Sequence, residues 1–133
     1  MLETVGAAMA GVDLGGGGFI MAESFTDLPS GVAANDGEAF SWHLQIDGRD
    51  VNVRPGAPPA RPDLHFILAY PVGVELARMV YGDDPAVHVA RDRIVGAALL
   101  DGRIRIEGAA AAMPEPVRTR MSTVHDHMAV RTL

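Results

Sequence analysis

Residues 64–71, Leu-His-Phe-Ile-Leu-Ala-Tyr-Pro, constrain the fold more than any other stretch of the chain. Leu64, Phe66, Leu68 and Tyr70 fall on one side of an extended backbone, and His65, Ile67 and Ala69 on the other. Both sides are apolar enough for a strand in the middle of a sheet. Pro71 stops that strand, because it has no ladder donor and its fixed φ suits the first turn of a helix. Val72, Leu76, Met79 and Val80 then recur at helical spacing, with Glu75 and Arg78 three apart on the polar side, and Gly82 is placed to end the helix. Asp84 can cap a second helix that Pro85 opens. A central strand running straight into an amphipathic helix needs strands beside it and a sheet face for the helix to cover.

The neighbours are legible. In "FSWHLQIDGRDVNV", residues 40–53, Phe40, Trp42, Leu44 and Ile46 alternate with Ser41, His43, Gln45 and Asp47, and Asp47-Gly48 follows. Asp-Gly between alternating runs marks a two-residue hairpin. Taking those two as the turn pairs Ile46 with Arg49, Leu44 with Val51 and Trp42 with Val53. "FIMAESFTDL" places Phe19, Met21 and Phe25 on one face of an earlier strand, and "GRIRIEG", residues 102–108, places Ile104 and Ile106 inward. The proline-rich "RPGAPPARP" is a surface connection, since prolines lack ladder donors. "AVHVARDRIVGAALLDG" suits a helix to about Arg93; beyond it, a hairpin on Asp101-Gly102 competes. Pro116 opens a closing helix in which Val117, Met121, Val124 and Met128 form a narrow apolar stripe. The expected architecture is α+β: about five strands in a mixed sheet, with helices packed mainly on one face and enclosing an apolar cavity.

The chain of 133 residues fits one domain, 1–133, with residues 1–18 read as a flexible or irregular segment because of the four glycines at 15–18. Those glycines match neither a phosphate loop nor a dinucleotide fingerprint. A net charge of −6 with only 11 cations argues against nucleic acid as a partner. No run approaches the ~20 apolar residues that span a bilayer, and the N-terminus lacks the positive region of a secretory signal, so the expected location is cytoplasmic. With no Cys, thiolate chemistry is excluded.

Taken together, "PDLHFILA" leading into a helix, "YGDDPAV" after it, and "GRIRIEG" in the following strand resemble the sterol carrier protein type two family across roughly residues 40–130. The resemblance implies helices over one face of a mixed sheet, and between them an apolar tunnel for a fatty acid, acyl-CoA, sterol or phospholipid. It also implies a ligand-binding wall, for which the candidates in this sequence are Trp42, Leu44, Phe66, Leu68, Leu76, Met79, Val80, Ile104, Met121 and Val124. The expected function is non-catalytic binding, and transfer, of a fatty acyl or sterol-like molecule, with the helix at 116–131 as a lid. No cofactor and no metal are expected, and homodimerisation is left open.

Chemistry finds little footing. His125 and His127 diverge on a helix and do not share a metal. His88 and Asp92 are spaced to hydrogen-bond at a helix surface, and His65 reads as a structural histidine. Ser24, Ser30, Ser41 and Ser122 have no base nearby in sequence. Arg103 and Arg105 share a solvated strand face. The methionines, Met79, Met113, Met121 and Met128 among them, suit either ordinary core or an adaptable wall. Two alternatives stand beside lipid binding: a small ketosteroid-isomerase-like enzyme, which would need a pocket-facing Asp or His base, and a dimeric interaction module.

Overall fold

The computed structural model describes residues 1–132, with side chains described through residue 130. Five strands form one mixed sheet: β1 (Gly18–Thr26), β2 (Phe40–Asp47), β3 (Asp50–Pro55), β4 (Leu64–Ala69) and β5 (Ile104–Gly108), in the order β3-β2-β1-β4-β5. β1 and β4 pair in parallel, and every other pair is antiparallel. Four α-helices accompany the sheet: α1 (Leu2–Met9), α2 (Tyr70–Ala77), α3 (Pro85–Asp101) and α4 (Glu115–Thr132). The fold is α+β, and the strand from 64 is internal, as its two apolar sides require.

Local chemistry explains most element ends. Pro71 lies in the first turn of α2, and Asp84 caps α3 by accepting the Ala86 N–H at 2.9 Å, with Pro85 in the first turn. Gly102, at φ 81, closes α3 in the left-handed conformation that favours glycine.

Four expectations need correction. Residues 1–18 are not simply irregular: α1 occupies Leu2–Met9 and buries Val5 and Met9 against the sheet. The hairpin pairs Ile46 with Val51, Leu44 with Val53 and Asp47 with Asp50, so Gly48 and Arg49 make the turn, two residues out of the expected register. Gly48 has φ 60 and Arg49 does not share that sign, which fits a turn needing glycine only at its first central position. A slip of two preserves the side on which each residue falls, so the apolar faces still coincide. α2 ends at Ala77 rather than near Gly82, and α3 continues through Asp101 instead of stopping near Arg93.

The apolar side of the sheet supports two separate cores. Under α1 and α4, Val5, Met9, Phe19, Met21, Leu44, Ile46, Leu64, Val117 and Val124 pack together. Under α2 and α3, Ala69, Val72, Ala98 and Ile104 form a smaller cluster. Burying a large side chain of this kind stabilises by about 1.5–3 kcal/mol, so the first core carries most of the fold.

Candidate functional site

A cavity of about 280 Å³, partly open to solvent, lies where the two cores do not meet. Its floor is the middle of the sheet: Glu23 and Phe25 on β1, Trp42 on β2, Phe66 and Leu68 on β4. Leu76 of α2 forms one wall, and Met121, Val124 and Met128 of α4 form the roof. Of the ten wall residues expected from sequence, Trp42, Phe66, Leu68, Leu76, Met121 and Val124 line this space. Leu44 is instead buried in the larger core and Ile104 in the smaller one. Met79 and Val80 are half-buried and off the cavity wall. The helical spacing that aimed them inward ends with α2 at Ala77.

The roof is fastened. Asp126 of α4 accepts the backbone N–H of Tyr81 at 2.7 Å and of Gly82 at 2.9 Å. His125 Nε2 lies 2.9 Å from the Met79 carbonyl oxygen, and its ring stacks on Tyr81 with centroids 4.0 Å apart. Arg91 sits 5.1 Å from the centre of the same Tyr81 ring. These contacts bind the segment after α2 to α4 and bring Tyr81 and His125 to the cavity wall.

A second space of about 350 Å³ shares Met1, Phe25, Gly73 and Ala77 with the first. The Phe25 ring divides them, braced edge-on against Tyr70 with centroids 6.2 Å apart. It lies so close to α2 that a Cβ on Gly73 would come within 2.6 Å of Phe25 Cε1. Glycine at 73 is therefore what lets the partition stand where it does.

Sequence reasoning missed Glu23. Its cross-strand neighbours are Trp42 on β2 and Phe66 on β4. Among the described residues it makes no hydrogen bond or ion pair. Burial raises its pKa from the ordinary 4.5 to about 7. The side chain keeps some accessible surface, but that surface faces the apolar cavity, so desolvation is the right physical picture. Tyr81 is likewise pushed up, first by burial, with Asp126 and Glu23 adding to the effect and Arg91 opposing it. Beside Glu23, Trp42 Nε1 is buried with no hydrogen-bond partner among the described residues. The signal was present: Phe19, Met21, Glu23 and Phe25 share one period-two face, and an acid there has nowhere to go but inward.

On the other side of the sheet the fold brings a base to a serine that has none nearby in sequence. His65 Nε2 lies 2.8 Å from Ser24 Oγ, Ser24 Oγ lies 2.7 Å from Ser41 Oγ, and Ser41 donates to Asp36 at 2.9 Å. With the Ser41 proton committed to Asp36, Ser24 must donate to Ser41, so the histidine must donate to Ser24. A histidine donating to the hydroxyl cannot be its general base, and His65 stays structural. His88 turns to the Gly82 carbonyl at 2.8 Å rather than to Asp92, which pairs with Arg91. Arg103 and Arg105 pair with Asp101 and Glu107 at the surface. Among the described residues no cluster of three or more metal-ligating side chains occurs, and no helix is long and apolar enough to cross a membrane.

No family model and no curated protein matches the chain. Solved structures to which it is similar include a sterol-carrier-type ubiquinone synthesis protein, UbiJ, at 15% identity and a TM-score of 0.42, with 97% of this chain and 77% of that one covered. Another is a conserved hypothetical protein of Thermus thermophilus, suggested to be a sterol carrier protein, at 14% identity and a TM-score of 0.44, covering 96% and 78%. A third is sterol carrier protein 2 like 2 of Aedes aegypti, at 17% identity and a TM-score of 0.43, covering 92% and 90%.

Proposed function

We propose that this protein binds a small hydrophobic molecule, without chemistry, in the cavity between the sheet and α4, and releases it by movement of that helix. The observation that supports this reading is the cavity itself. It is apolar on almost every side, and its roof, α4, is held by the larger core through Val117 and Val124 and by polar contacts to the segment after α2. A cavity of about 150 Å³ holds a benzene-sized molecule, so about 280 Å³ admits a skeleton of roughly ten to twelve carbons. Ten methylenes contribute about 8 kcal/mol of transfer free energy. Immobilisation removes several kcal/mol of that, leaving a dissociation constant of about 0.1 to 1 mM. A longer acyl chain or a sterol would need the Phe25 partition to move and join the second space.

Native mass spectrometry of the purified protein, followed by organic extraction, tests the reading. A co-purifying fatty acid, acyl-CoA or sterol-like mass near one per chain supports it and names the ligand class. A clean mass that stays unchanged after incubation with acyl, alkyl and sterol ligands overturns it and favours an interaction module.

Glu23 favours one second reading. A pocket-facing acid with a pKa near neutrality is what proton abstraction beside a carbonyl requires. The helix-ended sheet here is not the cone fold expected of ketosteroid-isomerase-like enzymes, which finish on strands. Deuterium wash-in to a bound enolisable ketone in D₂O, lost in Glu23→Gln, would support that activity. Equal wash-in in both proteins would remove it.

A further inference from the structure

One carboxyl group interrupts the hydrocarbon lining of the cavity. Glu23 stands on the floor, on the inward face of β1 between Met21 and Phe25. Among the described residues it makes no hydrogen bond and no ion pair. The indole nitrogen of Trp42 is sealed from the cavity, whereas the Glu23 carboxyl keeps surface that a water-sized group can reach. The carboxyl is therefore open to a ligand. Two of its neighbours are aromatic: Trp42 and Phe66 are paired with it on the strands to either side, each about 4.8 Å away across the sheet. Phe25 and Tyr81 complete an aromatic surround on the same wall. The titratable side chains facing Glu23 across the space are Tyr81 and His125, and His125 already has the Met79 carbonyl as partner. Met1 also lines the space, and no ion pair joins it to Glu23. Among the described residues no Arg lines the cavity, and the chain contains no Lys.

We infer that Glu23 is the counter-ion of a cationic ligand, and that the cavity takes an alkylammonium with its charged end on the sheet floor and its hydrocarbon against α4. The inference rests on the binding reading above and adds the ligand's charge and orientation. Four kinds of polar end can be weighed against a lone carboxylate among aromatic rings. A carboxylate or phosphate places a second negative charge against the first, with no Arg or Lys to balance it. An ether or ketone has no proton to donate and leaves Glu23 as it was. A hydroxyl donates one neutral hydrogen bond. An ammonium donates charge-assisted bonds, which are about twice as strong, and aromatic faces attract it further. Desolvation opposes any buried ion pair. Here the fold has already desolvated the carboxyl, in keeping with its raised pKa, so on binding the main loss of water is the ammonium's.

The test titrates three ligands of nearly equal size, octylammonium, 1-octanol and octanoate, into the intact protein at pH 8. At that pH Glu23 is ionised and an alkyl amine, with an ordinary pKa of about 10.4, is charged. Calorimetry gives the affinities, and the emission of Trp42, the chain's sole tryptophan, places each ligand at the cavity floor. In the wild type, octylammonium should bind roughly tenfold more tightly than octanol, the margin of a charge-assisted over a neutral hydrogen bond, and octanoate should be weakest. Glu23→Gln keeps the length and removes the charge, so octylammonium should fall below octanol and octanoate should rise; Glu23→Met should give the same reversal. A general attraction of cations to a chain of net charge −6 is nearly the same in these variants, so a preference caused by it would survive them. Octylammonium no tighter than octanol in the wild type, or a preference that survives in the folded variants, overturns the counter-ion and leaves the cavity reading standing. If none of the three ligands binds the folded wild type, both readings fall.

Discussion

Ionising Glu23 should lower the stability of this protein, and Glu23→Gln is the perturbation that isolates the effect. The folded-state pKa is raised to about 7 from the ordinary 4.5 because the carboxyl faces an apolar cavity. Below pH 4.5 both folded and unfolded chains hold the proton, and the group contributes no pH dependence. Between 4.5 and about 7 the unfolded chain releases its proton first, so stability falls as pH rises, and above 7 the full penalty persists. At about 1.4 kcal/mol per pH unit that penalty is about 3 kcal/mol, an upper figure if water enters the cavity. Urea denaturation of wild type and Glu23→Gln should therefore be run at intervals from pH 4 to pH 8. Any cost of an unpaired amide in the variant does not change with pH and drops out of the comparison. Tyr81, pushed above its ordinary 10, stays protonated across this range in both proteins. The variant should gain on the wild type by up to about 3 kcal/mol between pH 4.5 and pH 7, with no further gain above. A stability difference that stays flat across the whole range would refute the reasoning, since it would mean the Glu23 carboxyl is solvated.

Phe25→Ala should join the 280 Å³ and 350 Å³ spaces and move the preferred ligand toward longer chains, read as affinity against chain length. The cost should be about 2–3 kcal/mol, below that of a fully buried phenylalanine because the ring is only half-buried. Leu76→Arg places a charge against the cavity wall and should abolish uptake by the folded protein; unchanged binding would remove Leu76 from the site. Asp126→Ala deletes two of the three hydrogen bonds that fasten α4 to the segment after α2. It should cost about 2 kcal/mol in thermal or urea unfolding and speed ligand release in stopped-flow measurements, whereas an unaltered release rate would mean that α4 is not the exit.

Wherever the governing interactions were local, the elements could be read from the chain alone. Strand β4 and its turn into α2 followed from two apolar faces and one proline, and the start of α3 from Asp84 and Pro85. The hairpin faces followed from period-two alternation, which survives a slip of two. The same alternation carried Glu23 onto the inward face between Met21 and Phe25, where its chemistry could have been noticed. Helix α1 was hidden because eight residues give two short turns of pattern beside a glycine run, and its stability comes from Val5 and Met9 packing on the sheet.

Backbone sterics and the periods of two and 3.6 residues were enough to set the α+β class, the five strands, the side of the sheet each strand residue faces, and the apolar stripe of α4. Long-range packing was needed for the rest: that two cores form with a gap between them, and that Phe25 partitions that gap against Gly73. Packing also brings Tyr81 and His125 to the wall through an Asp126 contact 45 residues away in the chain. A cavity is space left over when distant elements pack, and no local pattern encodes the volume that remains.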